Sequence, residues 1–216
     1  MNGKIVEFKD SHGNAYPSYL SQPRGGRGPG VVMGLDIHGL RPLYHEIADH
    51  FADQGYLVAV PDYFYDVQRG EGDSFRTTMK FPTMLEVTKS TMATLKSMPD
   101  CNGKIGVTGF CAGGNTAFLS VARFGANAAT SYYGTRLHTL LDEVGTIKQP
   151  LILHIAEHDH TYPDEERDKI LEAVKKNPAI TAHVYKAPHG FASSSIDVDA
   201  QALAHKRTFE LFNTLK

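Results

Sequence analysis

The sequence has few cysteines, no long apolar run and no excess of either charge, and each shortage excludes a class of protein. Two cysteines in 216 residues are too few for a disulfide framework, and in a reducing compartment both should be thiols. The longest apolar runs, such as residues 29–35 and 57–60, fall far short of the roughly 20 residues that a membrane helix needs. The N-terminus, MNGKIVEFKDSHG, lacks a basic stretch followed by an apolar one, as a secretory signal would have. We therefore expect a cytoplasmic protein with no membrane partner.

The charge balance argues against nucleic acid as a partner. The formal net charge is −2 and the isoelectric point is about 6.6, whereas nucleic-acid-binding domains are usually basic. Hydrophobic residues make up 41% and charged residues 21%, which is close to the average for globular proteins. A chain of 216 residues is long enough to bury a substantial core and short for two domains. We expect a single domain over residues 1–216.

Short β-branched runs alternate with helical patterns after a glycine- and proline-rich turn at residues 22–30, which follows an N-terminal strand pair. The predicted strands are Gly30–Leu35, Leu57–Pro61, Lys104–Phe110, Ala128–Tyr133, Pro150–Ala156 and Ile180–Lys186. The predicted helices are Pro42–Gln54, Phe81–Met98, Asn115–Phe124, Glu165–Lys175 and Ala200–Leu215. This alternation predicts an α/β fold with a mostly parallel central sheet and helices on both faces. Ligands in such sheets bind at the carboxyl ends of the strands, so candidate site residues are expected directly after each strand.

Residues 109–114 (GFCAGG) have the pattern of a nucleophile elbow, the sharp turn between a strand and a helix that presents a nucleophile. The nucleophile of such a turn has a strained backbone, and the residues two positions before and after it must be small. Cys111 occupies the nucleophile position, and the following helix directs its N-terminus towards the thiol, which favours a thiolate. The alternative is a buried cysteine in a glycine-rich turn. The strand and helix on either side favour the catalytic interpretation.

An elbow nucleophile needs an acid and a histidine later in the chain, in that order. Asp159 follows the predicted strand Pro150–Ala156, and His189 follows the predicted strand Ile180–Lys186. We predict that His189 accepts the thiol proton and later delivers it to the leaving oxygen, while Asp159 holds the imidazole in the required tautomer. The predicted oxyanion donors are the backbone N–H groups of Ala112 and Ile37.

With these residues the chain resembles the dienelactone hydrolase family of α/β-hydrolases, whose nucleophile is a cysteine in a G-[YF]-C-x-G-G elbow. The resemblance covers nearly the whole chain. Its further marks are residues 54–62, 103–107, 132–134 (YYG), 158–163 and 189–191 (HGF). It implies an α/β-hydrolase fold and the hydrolysis of an ester or lactone through an acyl-thioester, with no cofactor.

The resemblance also implies a regulating acid and an arginine clamp. Asp36 occupies the position of the acidic residue that holds the cysteine or its proton at rest, although it is one methylene shorter than the usual glutamate. The alternative is a turn-forming role. Family members that act on dienelactone bind the substrate carboxylate with arginines, one of them shortly after the catalytic histidine, but residues 190–195, directly after His189, contain no arginine. Arg76 and Arg41 are the remaining candidates, and Tyr63 could line an apolar pocket or simply pack.

Residues 154–160 (HIAEHDH) invite a metal hypothesis, because His154, His158 and His160 would share one face of a strand. We predict no metal, since His158 and His160 should lie in the loop and Asp159 is assigned to His189. We therefore predict a monomeric or homodimeric hydrolase of a small carboxylic ester or lactone. The alternatives are a thioesterase or carbon–carbon hydrolase with the same three residues, and a non-catalytic binding protein that retains the elbow.

Overall fold

The computed structural model describes residues 3–67, 79–194 and 196–216. Its contacts divide the chain into two compact units, one made of residues 1–106 with Lys216 and the other of residues 107–215. The single domain expected from the sequence stays a prediction.

The first unit contains a short antiparallel edge and a parallel strand pair, in the order β1-β2-β4-β3. Strand β2 pairs with β1 and with β4 in antiparallel fashion, and β4 pairs with β3 in parallel. Every residue of β3 is buried, as the run GPGVVMG indicates. The elements of this unit are β1 (Lys4–Lys9), β2 (Ala15–Ser21), β3 (Gly28–Gly34), α1 (Pro42–Asp53), β4 (Leu57–Pro61) and α2 (Phe81–Ser97).

The second unit contains parallel strands in the order β6-β7-β8, each followed by a loop that opens at the same edge. Strand β5 (Cys101–Phe110) begins in the first unit and ends in the second. The other elements are α3 (Ala112–Arg123), β6 (Ala128–Tyr132), β7 (Leu151–His158), α4 (Asp164–Val174), β8 (Ile180–Pro188) and α5 (Val198–Phe212), with short 3-10 helices at Leu137–Thr139, Leu141–Thr146, Phe191–Ser193 and Asn213–Leu215. The eight strands form a mostly parallel sheet, so the predicted α/β class is confirmed.

Several predicted boundaries move, and two of the changes affect the site. Helix α3 begins at Ala112 rather than Asn115, because Ala112, Gly113 and Gly114 already adopt helical geometry directly after Cys111. The prediction that His158 lies in the loop is wrong, since β7 extends through His158. The register of β7 against β8 shifts between Ala156 and His158, which is an irregularity that a strict two-residue alternation does not reveal.

In the described part of the chain, no helix is both long and apolar enough to span a bilayer.

Candidate active site

Cys111 lies in the sharp turn between β5 and α3, with φ 56° and ψ −117°. Its backbone N–H donates to the carbonyl of Tyr132 at the end of β6, over 3.0 Å. A Cβ on Gly109 would lie 2.0 Å from the carbonyl oxygen of Gly113, and a Cβ on Gly114 would lie 2.8 Å from a serine hydroxyl. Gly109 is therefore required by the close approach of β5 and α3, as the sequence predicts, and Gly114 is required by the close approach of α3 to Ser131 in β6.

Asp159 lies in the loop after β7, and both of its carboxylate oxygens accept hydrogen bonds. Oδ1 accepts from the backbone N–H of Thr161 at 2.9 Å and from its hydroxyl at 2.6 Å. Oδ2 lies 2.8 Å from Nδ1 of His189. Burial raises the pKa of Asp159, but the hydrogen bonds from His189 and Thr161 and the charge of His189 outweigh burial, and the pKa is lowered. The carboxylate is thus held ionised and directed at the imidazole.

His189 directly follows β8 and makes contact with both other members of the predicted set. Its Nδ1 faces the carboxylate of Asp159, and the side chain of Cys111 interacts with its ring. Burial disfavours the charged imidazole, but the hydrogen bonds and negative charges of these two partners prevail and raise the pKa of His189 to about 9. With Nδ1–H donating to the carboxylate, Nε2 is the nitrogen left to exchange a proton with the thiol.

Two rings contact the imidazole of His189 from its sides. The ring centroid of Tyr133 lies 4.7 Å away with 59° between the planes, and that of His160 lies 5.4 Å away with 72° between the planes. The side chain of His189 is 11% exposed. The arrangement thus offers a thiol, a base and an orienting carboxylate on three loops that follow three strands.

Asp36 and Arg41 lie in the first unit, between β3 and the start of α1. Oδ2 of Asp36 accepts from the guanidinium of Arg41 at 2.5 Å, and Oδ1 accepts from the backbone N–H of His38 at 2.8 Å. The predicted clamp residue Arg41 therefore already binds a carboxylate of its own chain. The regulating role of Asp36 stays a prediction.

Three of the remaining residues predicted from the sequence lie among the described residues, and one does not. Tyr63 is buried, and its hydroxyl lies 2.8 Å from the hydroxyl of Thr88. Ile37 belongs to the segment after β3, and Ala112 is the first residue of α3, where backbone N–H groups have no partner within the helix. Their assignment as oxyanion donors stays a prediction. Arg76 lies outside the described residues.

His154, which the metal hypothesis used, is fully buried in β7 and bonded to hydroxyl groups. Its Nδ1 lies 2.8 Å from the hydroxyl of Tyr185, and its Nε2 lies 3.0 Å from that of Thr208. Burial, reinforced by nearby His183, His205 and Arg207, lowers its pKa well below the usual value, so the ring is neutral. Within the described ranges, no three or more histidine, cysteine or acidic side chains are grouped as a metal site would require.

Sequence reasoning missed two residues that contact the predicted triad. Thr161 binds Asp159 within one turn, and this spacing of two residues is the signal of a local Asp turn. Tyr133 packs on His189, and its hydroxyl donates to Ser193 at 2.8 Å. Tyr133 belongs to the YYG motif that carries the resemblance, but no local pattern reveals a partner 60 residues away.

Comparison with known proteins places the chain among hydrolases. The model of the dienelactone hydrolase family matches residues 16–216. The carboxymethylenebutenolidase of a Pseudomonas species is 29% identical over 219 residues, which cover 94% of this chain and 92% of that protein. The carboxymethylenebutenolidase of Pseudomonas putida is 28% identical over 227 residues, which cover 98% and 96%.

A solved structure shares the fold at a greater sequence distance. It is a dienelactone hydrolase-like promiscuous phosphotriesterase from metagenomic libraries, with a TM-score of 0.83 and 20% identity over 99% of this chain and 98% of that one. At this identity the likeness concerns the fold alone, and it confirms the predicted α/β-hydrolase architecture.

Proposed function

The chain belongs to the dienelactone hydrolase family, and from that premise we propose that it hydrolyses a small carboxylic ester or lactone with Cys111 as nucleophile. The relatives named carboxymethylenebutenolidase support a hydrolase that acts on a lactone or ester. The observation that carries the proposed mechanism is the position of His189, whose Nδ1 lies 2.8 Å from the carboxylate of Asp159 and whose ring interacts with the side chain of Cys111. A thiol, a base and an orienting acid in that order are what nucleophilic acyl transfer requires.

In the first half-reaction Nε2 of His189 holds the proton of the Cys111 thiol, as its pKa of about 9 favours, and the sulfur attacks the carbonyl carbon as a thiolate. The carbonyl oxygen becomes an oxyanion, which the backbone N–H of Ala112 at the start of α3 is suited to stabilise. The tetrahedral intermediate then collapses, the bond to the leaving oxygen breaks, and His189 returns the proton to that oxygen. The product is an acyl-thioester on Cys111.

In the second half-reaction water replaces the sulfur. His189 removes a proton from the water, the resulting hydroxide attacks the thioester carbonyl, and the carbon–sulfur bond breaks. The sulfur leaves as a thiolate and the carboxylic acid is released. Throughout both steps Asp159 holds Nδ1–H of His189 and stabilises the imidazolium. For a lactone the leaving oxygen belongs to the same molecule, so a single open-chain hydroxy acid or its tautomer results.

The test compares Cys111→Ala with Cys101→Ala, since Cys101 is the matched control: both cysteines are free and buried. We expect Cys111→Ala to abolish hydrolysis of p-nitrophenyl acetate and of unsubstituted lactones, while Cys101→Ala stays within a few-fold of the parent. Mass spectrometry of the parent during turnover should find the acyl group on Cys111. Activity that survives Cys111→Ala, or an acyl group on another residue, contradicts the mechanism.

A second measurement separates the enzyme from a binding protein that retains the elbow. The rate of alkylation of Cys111 by iodoacetamide is measured in the parent and in His189→Gln. A catalytic thiol should react faster in the parent, since the imidazole accepts its proton. Equal rates in both proteins, together with no turnover on esters, lactones or thioesters, favour the binding protein.

A further inference from the structure

We propose that Tyr133 is a positioning residue for His189, an inference that rests on the function proposed above. Tyr133 directly follows β6 and is 1% exposed, and its ring packs against the imidazole at 4.7 Å between centroids. The hydrogen bond that Nδ1 of His189 donates to Asp159 fixes one nitrogen of the imidazole, and a rotation about the Cβ–Cγ bond of His189 would turn Nε2 away from Cys111. A packed aromatic ring restricts this rotation, and so keeps Nε2 directed at Cys111.

The hydroxyl of Tyr133 reaches the segment that carries His189. It donates to Oγ of Ser193 at 2.8 Å, and Ser193 lies in the short 3-10 helix that begins two residues after His189. The backbone N–H of Ser193 donates to the carbonyl of Gly190 at 3.1 Å, and Gly190 has φ 86°. The phenol is therefore bonded to the tight turn that begins directly after the catalytic base.

The backbone of Tyr133 is anchored close to the nucleophile. Its N–H donates to the carbonyl of His154 in β7 at 2.7 Å, and the preceding carbonyl, of Tyr132, accepts from the N–H of Cys111 at 3.0 Å. Among the described residues, Cys111 and Tyr133 are the non-glycine residues with positive φ, 56° and 39°. Such strain persists only where the surrounding structure enforces it, and it concentrates at functional sites.

These contacts make Tyr133 a bridge between the two reacting groups. Its backbone lies one peptide from the hydrogen bond that holds the nucleophile, and its side chain holds both the ring and the turn of the base. A change in the position of the phenol therefore changes the distance between Sγ of Cys111 and Nε2 of His189. Proton transfer depends steeply on that distance, whereas substrate binding does not.

The first test is Tyr133→Phe, which keeps the ring and removes the bond to Ser193. We expect kcat for p-nitrophenyl acetate to fall about tenfold, with KM within about twofold of the parent. The midpoint of the His189 titration, followed by NMR of labelled histidine, should also move down by about half a pH unit or more, since the bonds that raise it are weakened. The matched control is Tyr16→Phe, which removes a buried phenol bond to Thr91 in the first unit and should change neither value.

The second test is Ser193→Ala, alone and combined with Tyr133→Phe. If the two hydroxyl groups act only through the hydrogen bond between them, the double variant should lose no more activity than either single variant. The inference is overturned if the parent depends on Cys111 while Tyr133→Phe and Ser193→Ala keep the parent's kcat and His189 titration. It is also overturned if kcat falls while the titration stays unchanged, because loss of folded protein alone would do that. Activity that survives Cys111→Ala contradicts the proposed function instead.

Discussion

Replacing the nucleophile by glycine should give a more stable protein than replacing it by alanine. Cys111 has φ 56° and ψ −117°, which match the first central position of a type II′ turn, where glycine dominates. Alanine keeps the Cβ that makes this conformation unfavourable, and glycine removes it. Both variants lose the sulfur, so the comparison isolates the backbone.

The expected difference follows from two opposing contributions. Relief of a strained non-glycine conformation is worth about 1–3 kcal/mol. Glycine also gains freedom in the unfolded chain, which costs about 0.5–1 kcal/mol. The free energy of unfolding of Cys111→Gly should therefore exceed that of Cys111→Ala by about 1 kcal/mol, which corresponds to roughly 2–4 °C in Tm for a chain of this length.

Urea unfolding measures the difference, provided that both variants have the same dependence on denaturant. The control is Ala202→Gly at an exposed position inside α5, where glycine should lower the free energy of unfolding by about 0.5–1 kcal/mol. An equal or lower stability of Cys111→Gly relative to Cys111→Ala would refute the reasoning, because the turn would then impose no strain on a side chain.

Three further predictions concern the acid, the base and the elbow. Asp159→Asn should lower kcat on the order of 10²–10³-fold, less than in a serine triad because a thiol needs less activation, while Glu157→Gln stays near the parent. NMR should find that His189 titrates near pH 9 in the parent and at a lower pH in Asp159→Asn. Because the pKa of His189 is higher in the folded protein than in the unfolded chain, protonation of His189 stabilises the fold below about pH 6.5, and this contribution disappears as the pH rises to 9. Gly109→Ala should lower the unfolding free energy by more than about 3 kcal/mol, because the new Cβ would meet the backbone of Gly113. Gly145→Ala should lower it by less than about 1 kcal/mol, because a Cβ at Gly145 would have no atom within 4 Å.

Each of these has an outcome that contradicts it. A crippled Glu157→Gln beside an active Asp159→Asn would transfer the acid role to the other carboxylate. A His189 midpoint near 6.5 would mean that its partners do not hold the imidazolium. Equal stability of Gly109→Ala and Gly145→Ala would mean that β5 and α3 can move apart at the elbow at no cost in unfolding free energy.

The parts of the site that follow local rules were predictable from the sequence. The elbow around Cys111 is fixed by glycines at set spacings, and Asp159 and His189 are found by reading the residue after each strand. The end of β7 was harder to predict from the sequence, because β7 runs to His158 through a register shift that arises only in its pairing with β8. The contact of Thr161 with Asp159 could also have been predicted from the sequence, since the two residues are only two positions apart.

The contacts that link distant segments were not predictable. The bond between Tyr133 and Ser193 joins residues 60 positions apart, and nothing in either local sequence specifies the other. The same holds for His154, whose polar side chain suggested a ligand until hydroxyls from β8 and α5 were found at both nitrogens. A single sequence gives periodicity and turn chemistry, and such pairings depend on how whole elements pack.

The division of the chain at residue 106 has a consequence for directed evolution. Cys111, Asp159 and His189, together with Tyr133 and Ser193, all belong to residues 107–215. A gene assembled from two cassettes that meet within β5 would keep every one of these residues in the downstream cassette. Libraries confined to the upstream cassette would then leave unaltered every side chain in the hydrogen-bonded network around the base.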